Sequence, residues 1–241
     1  MSIAQLMGLN RLNKPARYKV FDSETKCDAQ HLWFRIVFWD QYLSLKLDIS
    51  QGFTDRSMVS DPILAKDTPM GRLGRIHCIV ASRILECNWS KSSADSMNLT
   101  QTLDVQLQEA ANSLTYKWWL IPDLRAILAK VEDVFRDTRR LLTQVYHYNL
   151  LNQLYLPVCV NASRKMLSRV IKLHNFNSIS GNCRTIDFLA LMAAMTLLLA
   201  HMDSRCSAGE NLLAHQYHSD RAMIEKVHEK MEAVNDLTPI H

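Results

Sequence analysis

No two of the six cysteines in this chain stand closer than nine residues, so no Cys-x2-Cys pair exists. That absence excludes a zinc ribbon or a binuclear zinc cluster built from these residues. No secretory leader is evident. Cys27, Cys78, Cys87, Cys159, Cys183 and Cys206 are therefore expected as reduced thiols of an intracellular protein, not as a disulfide framework. Glycine and proline are scarce, six of each in 241 residues, which favours long helices over tight turns. No Gly-x-x-x-x-Gly-Lys phosphate loop, Gly-x-Gly-x-x-Gly turn, Gly-x-Ser-x-Gly elbow or His-Glu-x-x-His pair occurs, so nucleotide, nucleophile-elbow and zinc-peptidase chemistry have no motif to stand on. Neither sign of charge dominates: 28 basic against 24 acidic residues leave a net +4, too little to argue for nucleic-acid binding. The longest apolar run, Ile186 to Ala200, is fifteen residues. As a helix it rises about 22 Å, short of the roughly 30 Å of a bilayer core. It also contains Asp187 and Thr196, so it is expected as a buried core helix, with no membrane partner.

What the chain does contain is helical periodicity. Eleven of the eighteen residues from His31 to Asp48 are apolar or aromatic, enough to go round most of a helix and bury several sides of it. Leu32, Ile36, Leu43 and Leu47 share a face with Trp39, and Asp40 lies near that face. Trp33, Trp39 and Asp40 are the expected structural core. A buried carboxylate needs a partner, and Arg35, Arg72, Arg75 and Arg83 are the candidates. Further helices are expected from Thr68-Pro69, with proline tolerated at the first helical position, to about Trp89; from Met97 to Leu114; from a cap at Asp123 to about Pro157; from Asn161 to His174; from Cys183 to Asp203; and from Glu210 to Asp236. Trp118-Trp119-Leu120-Ile121-Pro122 reads as an apolar elbow that plugs between helices. The fold class is all-α: an irregular multi-helix domain of seven or eight helices, spanning 1–241, around buried helices near 30–48 and 183–203. No repeat or strand-like alternation stands out.

Candidate chemistry is thin. His215, His218 and His228 could approach a metal, but no carboxylate completes the pattern, and a His-rich helix surface explains them. Cys78 follows His77, yet adjacent helical residues point about 100° apart. No acid, base and nucleophile converge, so no enzyme is expected. Arg139, Arg140, Arg136 and Lys130 form a basic stripe, but Asp133 and Asp137 are interleaved and should pair with it on a solvated face. The remaining candidate is a small-molecule site. Tyr148, Asn152 and Tyr155 recur on one face of the long helix, flanked by His147 and Asn149, with Arg184 and Asp187 as a second polar edge. A polar-aromatic cluster against an apolar core is how many ligand sites are made. An internal network of satisfied hydrogen bonds is the competing and favoured reading.

Several stretches also carry a resemblance. Leu32-Trp33-Phe34, Ile36-Val37-Phe38, Asp40-Gln41 and Leu43-Ser44-Leu45, followed by the Gly52 loop, resemble the core segment of the fungal transcription factor regulatory domain. That domain is the middle homology region of zinc binuclear cluster transcription factors. Gln5 to Leu12 resembles its Gly-Leu-His-Arg helix end, and Tyr146 to Leu151 and Arg184 to Ala190 are similar to it as well. Gln41 stands where an Arg is usual, and Asp48 where a Gly is common. The resemblance implies a nuclear regulatory domain controlling RNA polymerase II transcription. Transcriptional regulators or other domains of the same protein would be its partners, with a small-molecule effector in some members. DNA would be contacted only through the cluster domain, which is also where zinc, the one cofactor implied, would sit. The alternative is a helical small-molecule-binding or protein-interaction module unrelated to transcription. Two departures from the family pattern suggest a shortened chain: it begins well inside the pattern, and Leu156 to Asn161 joins two helices abruptly, as after a deletion, a splice difference or a gene-model fault. Lost upstream helices would leave Trp33, Trp39 and Leu43 uncovered and promote association.

Overall fold

Long helices with few breakers are what the scarcity of glycine and proline requires. The computed structural model describes residues 2–11, 29–53, 65, 67–89, 93–122, 131–154, 159–176, 183–206 and 213–237. Among the described residues there are nine α-helices, one 3-10 turn and no strand. The chain divides into two compact units, 1–113 and 114–241. The expected helix start around Ser23–Asp28, the Asp61-Pro62 loop, the Asp123 cap with Leu124, Ile127 and Leu128, and the Leu156–Val158 part of the abrupt junction lie outside the described residues.

The first unit holds α1 (Ser2–Leu6), α2 (Ala29–Leu47), α3 (Pro69–Trp89) and α4 (Ser93–Asn112), with α3 packed on both α2 and α4. α1 stops at Gly8, whose φ of 75° lets the Leu9 N–H reach Ala4 O and the Gly8 N–H reach Gln5 O, the paired bonds of a glycine-terminated helix. α2 stops the same way at Asp48. Its φ is 52°, and the next N–H, of Ile49, returns to Ser44 O at 3.1 Å. α3 starts as expected: Thr68 Oγ1 accepts the Gly71 N–H at 3.1 Å, with Pro69 inside the first turn.

The buried side of α2 differs from the expected one. Trp33, Phe34, Val37, Phe38, Gln41, Tyr42, Ser44 and Leu45 are buried, whereas Leu43 and Leu47 are exposed and Leu32, Ile36, Trp39 and Asp40 are half-buried. The aromatic rings decide this. Phe38 stacks on Tyr42 at 5.4 Å, and Trp33 meets Phe53 edge-on at 5.1 Å. Burying these rings removes more apolar area from water than burying the leucine stripe would. Trp33 is thus covered within its own unit, and the expected exposure of its ring is corrected. Asp40 is corrected too. Its Oδ2 accepts the Gly52 N–H at 2.9 Å, so the carboxylate ties the loop back to the helix instead of meeting a basic side chain among the described residues. Arg75 pairs with Asp67 at 2.6 Å and lies over the Phe34 ring; Arg83 pairs with Glu86.

The second unit holds α5 (Tyr116–Trp119), α6 (Val131–Leu154), α7 (Cys159–Phe176), α8 (Arg184–Cys206), the 3-10 turn Ala214–Gln216 and α9 (Tyr217–Leu237). α7 is its centre: it packs on α6, α8 and α9, and Met166, Leu167, Val170 and Leu173 are fully buried. α8 is longer than the apolar run suggests. Its 23 residues rise about 34 Å, so it is long and apolar enough to cross a bilayer. The length argument against that therefore fails. A soluble protein's core helix can meet the same two criteria, and one side of α8 is buried: Ile186, Leu189, Ala190, Ala193, Leu197 and His201.

Candidate functional site

The polar residues of α6 sit where the helix is most enclosed. Every residue from Gln144 to Leu150 is buried, so each polar side chain in that stretch needs an internal partner. Gln144 finds two: its Nε2 donates to Trp118 O at 2.5 Å, and its Oε1 accepts Arg169 Nε at 3.0 Å. Arg169 Nη2 donates to Trp119 O at 2.9 Å. Arg140 donates through Nε to Trp118 O at 2.7 Å and through Nη2 to Lys117 O and Leu120 O. Two guanidinium groups and one amide thus hold the carbonyls of four consecutive residues, 117 to 120. Those carbonyls are left unpaired at the C-terminal end of the short helix α5, the negative end of its dipole.

The elbow that these donors hold lies against α6 and α7 half-exposed, not as the expected plug: no residue of α5 is buried and Leu120 is exposed. The Trp119 ring lies 4.8 Å from His147 and 6.0 Å from Tyr148, and the Arg169 guanidinium covers the Tyr148 ring at 4.8 Å. Burial, reinforced by the nearby Lys165 charge, pushes the His147 pKa down to about 4, so the ring is neutral at physiological pH. Burial raises the Tyr148 hydroxyl above its ordinary range, against the pull of Arg169. Burial also lowers both arginines, Asp137 opposing the effect at Arg140. Arg140 was expected on a solvated basic stripe. Its i,i+3 pair with Asp137 is present at 3.4 Å, but the head group is turned inward onto the elbow.

The five expected ligand residues that are described do not converge. His147 and Tyr148 share the Trp119 contact. Asn152, two turns further from Gln144 on α6, donates Nδ2 to Ser163 Oγ at 3.1 Å, and its backbone carbonyl accepts the Cys159 thiol. Asn152 Oδ1 is buried without a hydrogen-bond partner. Arg184 is exposed. Asp187 lies 3.1 Å from His174 Nε2, near the other end of α7. The eleven residues between Ser163 and His174 span roughly 16 Å along the helix. The angle between His174 and Asp187 is outside that of a hydrogen bond, which leaves both His174 nitrogens and Asp187 Oδ1 without one. Tyr155 lies outside the described residues.

A second polar cluster had no place in the sequence reading. Arg164 on α7 grips Asp220 on α9 through two bonds of 2.7 Å, and His201 on α8 approaches the same carboxylate at 2.8 Å. Asp220 is almost fully buried. Burial alone would raise its pKa, but the hydrogen bonds from Arg164 and His201 outweigh that and hold it below the usual carboxylate range. One carboxylate therefore ties three helices together. The available signal was His201, a polar residue at the end of an apolar run.

No protein-family model matches the chain, and no solved structure does. Curated proteins do. The chain is 51% identical over 254 residues to the dehydrocurvularin biosynthesis regulator of Alternaria cinerariae, covering 98% of this chain and 33% of that protein. It is 48% identical to the regulator of the same name from Aspergillus terreus, over 98% of this chain and 35% of the relative. It is 31% identical to the transcription factor sdnS of Sordaria araneosa, over 97% and 33%. This chain is a homologue of fungal transcription factors. It spans about a third of the length of the transcription factors it matches. The matched span of 254 residues exceeds the 241 of this chain, so these homologues carry residues within it that this chain does not have.

Proposed function

We propose that this chain is the helical regulatory segment of a fungal transcription factor that controls a biosynthetic gene set. One observation carries the reading: half of the residues are identical to a biosynthesis regulator across nearly the whole chain. The site geometry supports a non-catalytic role. The buried polar groups of the second unit are used to hold helices and the Trp118-Trp119 elbow, and the buried Cys78 and Cys159 thiols are raised by desolvation, away from the thiolate form. DNA contact would fall to a zinc cluster outside these residues, and the place of action would be the nucleus. Regulators or other parts of the same protein would be the partners. A small-molecule effector would be sensed at the Tyr148–Asn152 face of α6, flanked by His147, where the Asn152 Oδ1 acceptor is unspent.

A segment swap tests this. The matching third of the Alternaria cinerariae regulator is replaced by this chain in a strain lacking its own copy, and transcription of that regulator's target genes is measured. The swap is expected to raise it severalfold above a version with the segment deleted. Equal transcription from both, at equal protein level, would contradict the proposal.

A further inference from the structure

Arg169 is a buried positive charge with no counter-charge beside it. The residue is 8% exposed, and its acceptors are all neutral: Gln144 Oε1, Trp119 O, Lys165 O and Ser168 Oγ. Among the described residues no carboxylate pairs with it. Two more cations share its corner. Arg140 has one acid, Asp137, at 3.4 Å. The Lys165 ammonium lies 5.5 Å from the Tyr148 ring, which the Arg169 guanidinium also meets, at 4.8 Å. Three positive charges thus face one carboxylate, and a guanidinium buried without an anion is unfavourable. The carbonyls of residues 117–120 bring only the partial charge of a helix C-terminus. An ionised carboxylate is the stronger partner, because it accepts two parallel N–H bonds from one guanidinium. The carbonyls are also easily released. Trp118 and Trp119 are half-exposed and Leu120 is exposed, so water can take over their bonds. Arg140, with 18% of its side chain exposed, opens the pair to solvent. Rings stand next to the donors: Trp118 against Trp119, and Trp119 against His147 and Tyr148.

We infer that Arg140 and Arg169 form a binding site for an organic carboxylate with a flat apolar body, and that the elbow carbonyls are its competitors for the same N–H groups. The carboxylate takes the guanidinium donors, its body lies along the rings, and the elbow swings outward. The uncompensated charge selects an anion, and the rings select a carboxylate on an apolar body over a bare inorganic ion. The site stands apart from the effector reading of the Asn152 face. An unspent amide oxygen there calls for a hydrogen-bond donor, whereas two guanidinium groups call for an anion. Failure of either therefore leaves the other standing, and neither depends on the transcriptional role.

Isothermal titration calorimetry of the full chain at fixed ionic strength tests it. The probes are benzoate, its neutral isostere benzamide, and inorganic phosphate. Benzoate is expected to bind at millimolar concentrations or below, at least about tenfold more tightly than benzamide. Hydrogen exchange of the elbow peptide is expected to speed up when benzoate is present. Arg140→Gln is expected to weaken benzoate by at least about tenfold with helical circular dichroism unchanged. Benzoate that does not bind, or binds no better than benzamide, would overturn the inference. So would benzoate binding that Arg140→Gln leaves intact, or elbow exchange that benzoate leaves unaltered. Phosphate bound in place of benzoate would overturn the assignment of an organic carboxylate. The comparison of benzoate with benzamide uses the wild type alone, so it decides the matter even where the variant fails to fold.

Discussion

Asp220 joins three helices of the second unit, α7, α8 and α9, through one carboxylate. Its carboxylate takes both bonds of Arg164 and one from His201. Removing one partner of a buried ionic cluster leaves the others unpaired and typically costs about 3–5 kcal/mol. Asp220→Ala is therefore expected to lower the urea midpoint by a corresponding amount, and a change under about 1 kcal/mol would mean that the cluster is solvated. His147 makes a pH prediction. Its pKa in the folded chain is about 4, below the ordinary value near 6.5. The folded state thus binds fewer protons, so stability is full above pH 6.5 and falls as pH drops from 6.5 to 4. The loss over that window is about 3 kcal/mol. His147→Phe removes the titration, and its melting temperature is expected to fall less steeply across the same window. Parallel pH profiles for variant and wild type would show that His147 is accessible to solvent.

At the scale of elements, helix ends are set by local chemistry. Asp48 departs from the resembled pattern at a position where glycine is common, and the backbone there has φ of 52°, the left-handed region that costs an ordinary residue roughly 1 kcal/mol. Asp48→Gly is expected to stabilise the first unit by up to about 1 kcal/mol, less the chain entropy that glycine brings. A destabilised variant would mean that the Asp48 side chain contributes more than the strain it causes. Asp40 reverses an expectation. A buried ion pair would make Asp40→Ala cost several kcal/mol, but a carboxylate that accepts one backbone N–H on a half-exposed loop is worth about 1–2 kcal/mol. Thermal melting distinguishes the two. The all-helical class, the Thr68-Pro69 start and the Trp118-Trp119 elbow were legible because each is a local signal: spacing, a capping hydroxyl, a run of rings. The buried face of α2 was not, because its rings go round the helix and only the neighbouring helix selects a side. Nor was the grip of Arg140 and Arg169 on residues 117–120, which joins residues up to about fifty positions apart and depends on how α6, α7 and the elbow dock. Of the expected ligand cluster, the spacing of Tyr148 and Asn152 holds on α6, but the second edge at Asp187, on α8, lies against His174 at the far end of α7.

The whole molecule is a pair of helical units with a small net charge, and in the second unit the polar groups of Arg140, Gln144, Arg169 and Asp220 hold elements in place. A net charge of +4 over 241 residues gives this chain no strong electrostatic footprint for nucleic acid. The central claim is that these residues alter transcription without contacting a promoter themselves. The most direct measurement tethers the chain to an unrelated DNA-binding domain in a fungal reporter strain and compares output with that domain alone. The account predicts a severalfold change in either direction that disappears when the reporter lacks the tethering site. Unchanged output from a chain shown to be folded and nuclear would contradict it.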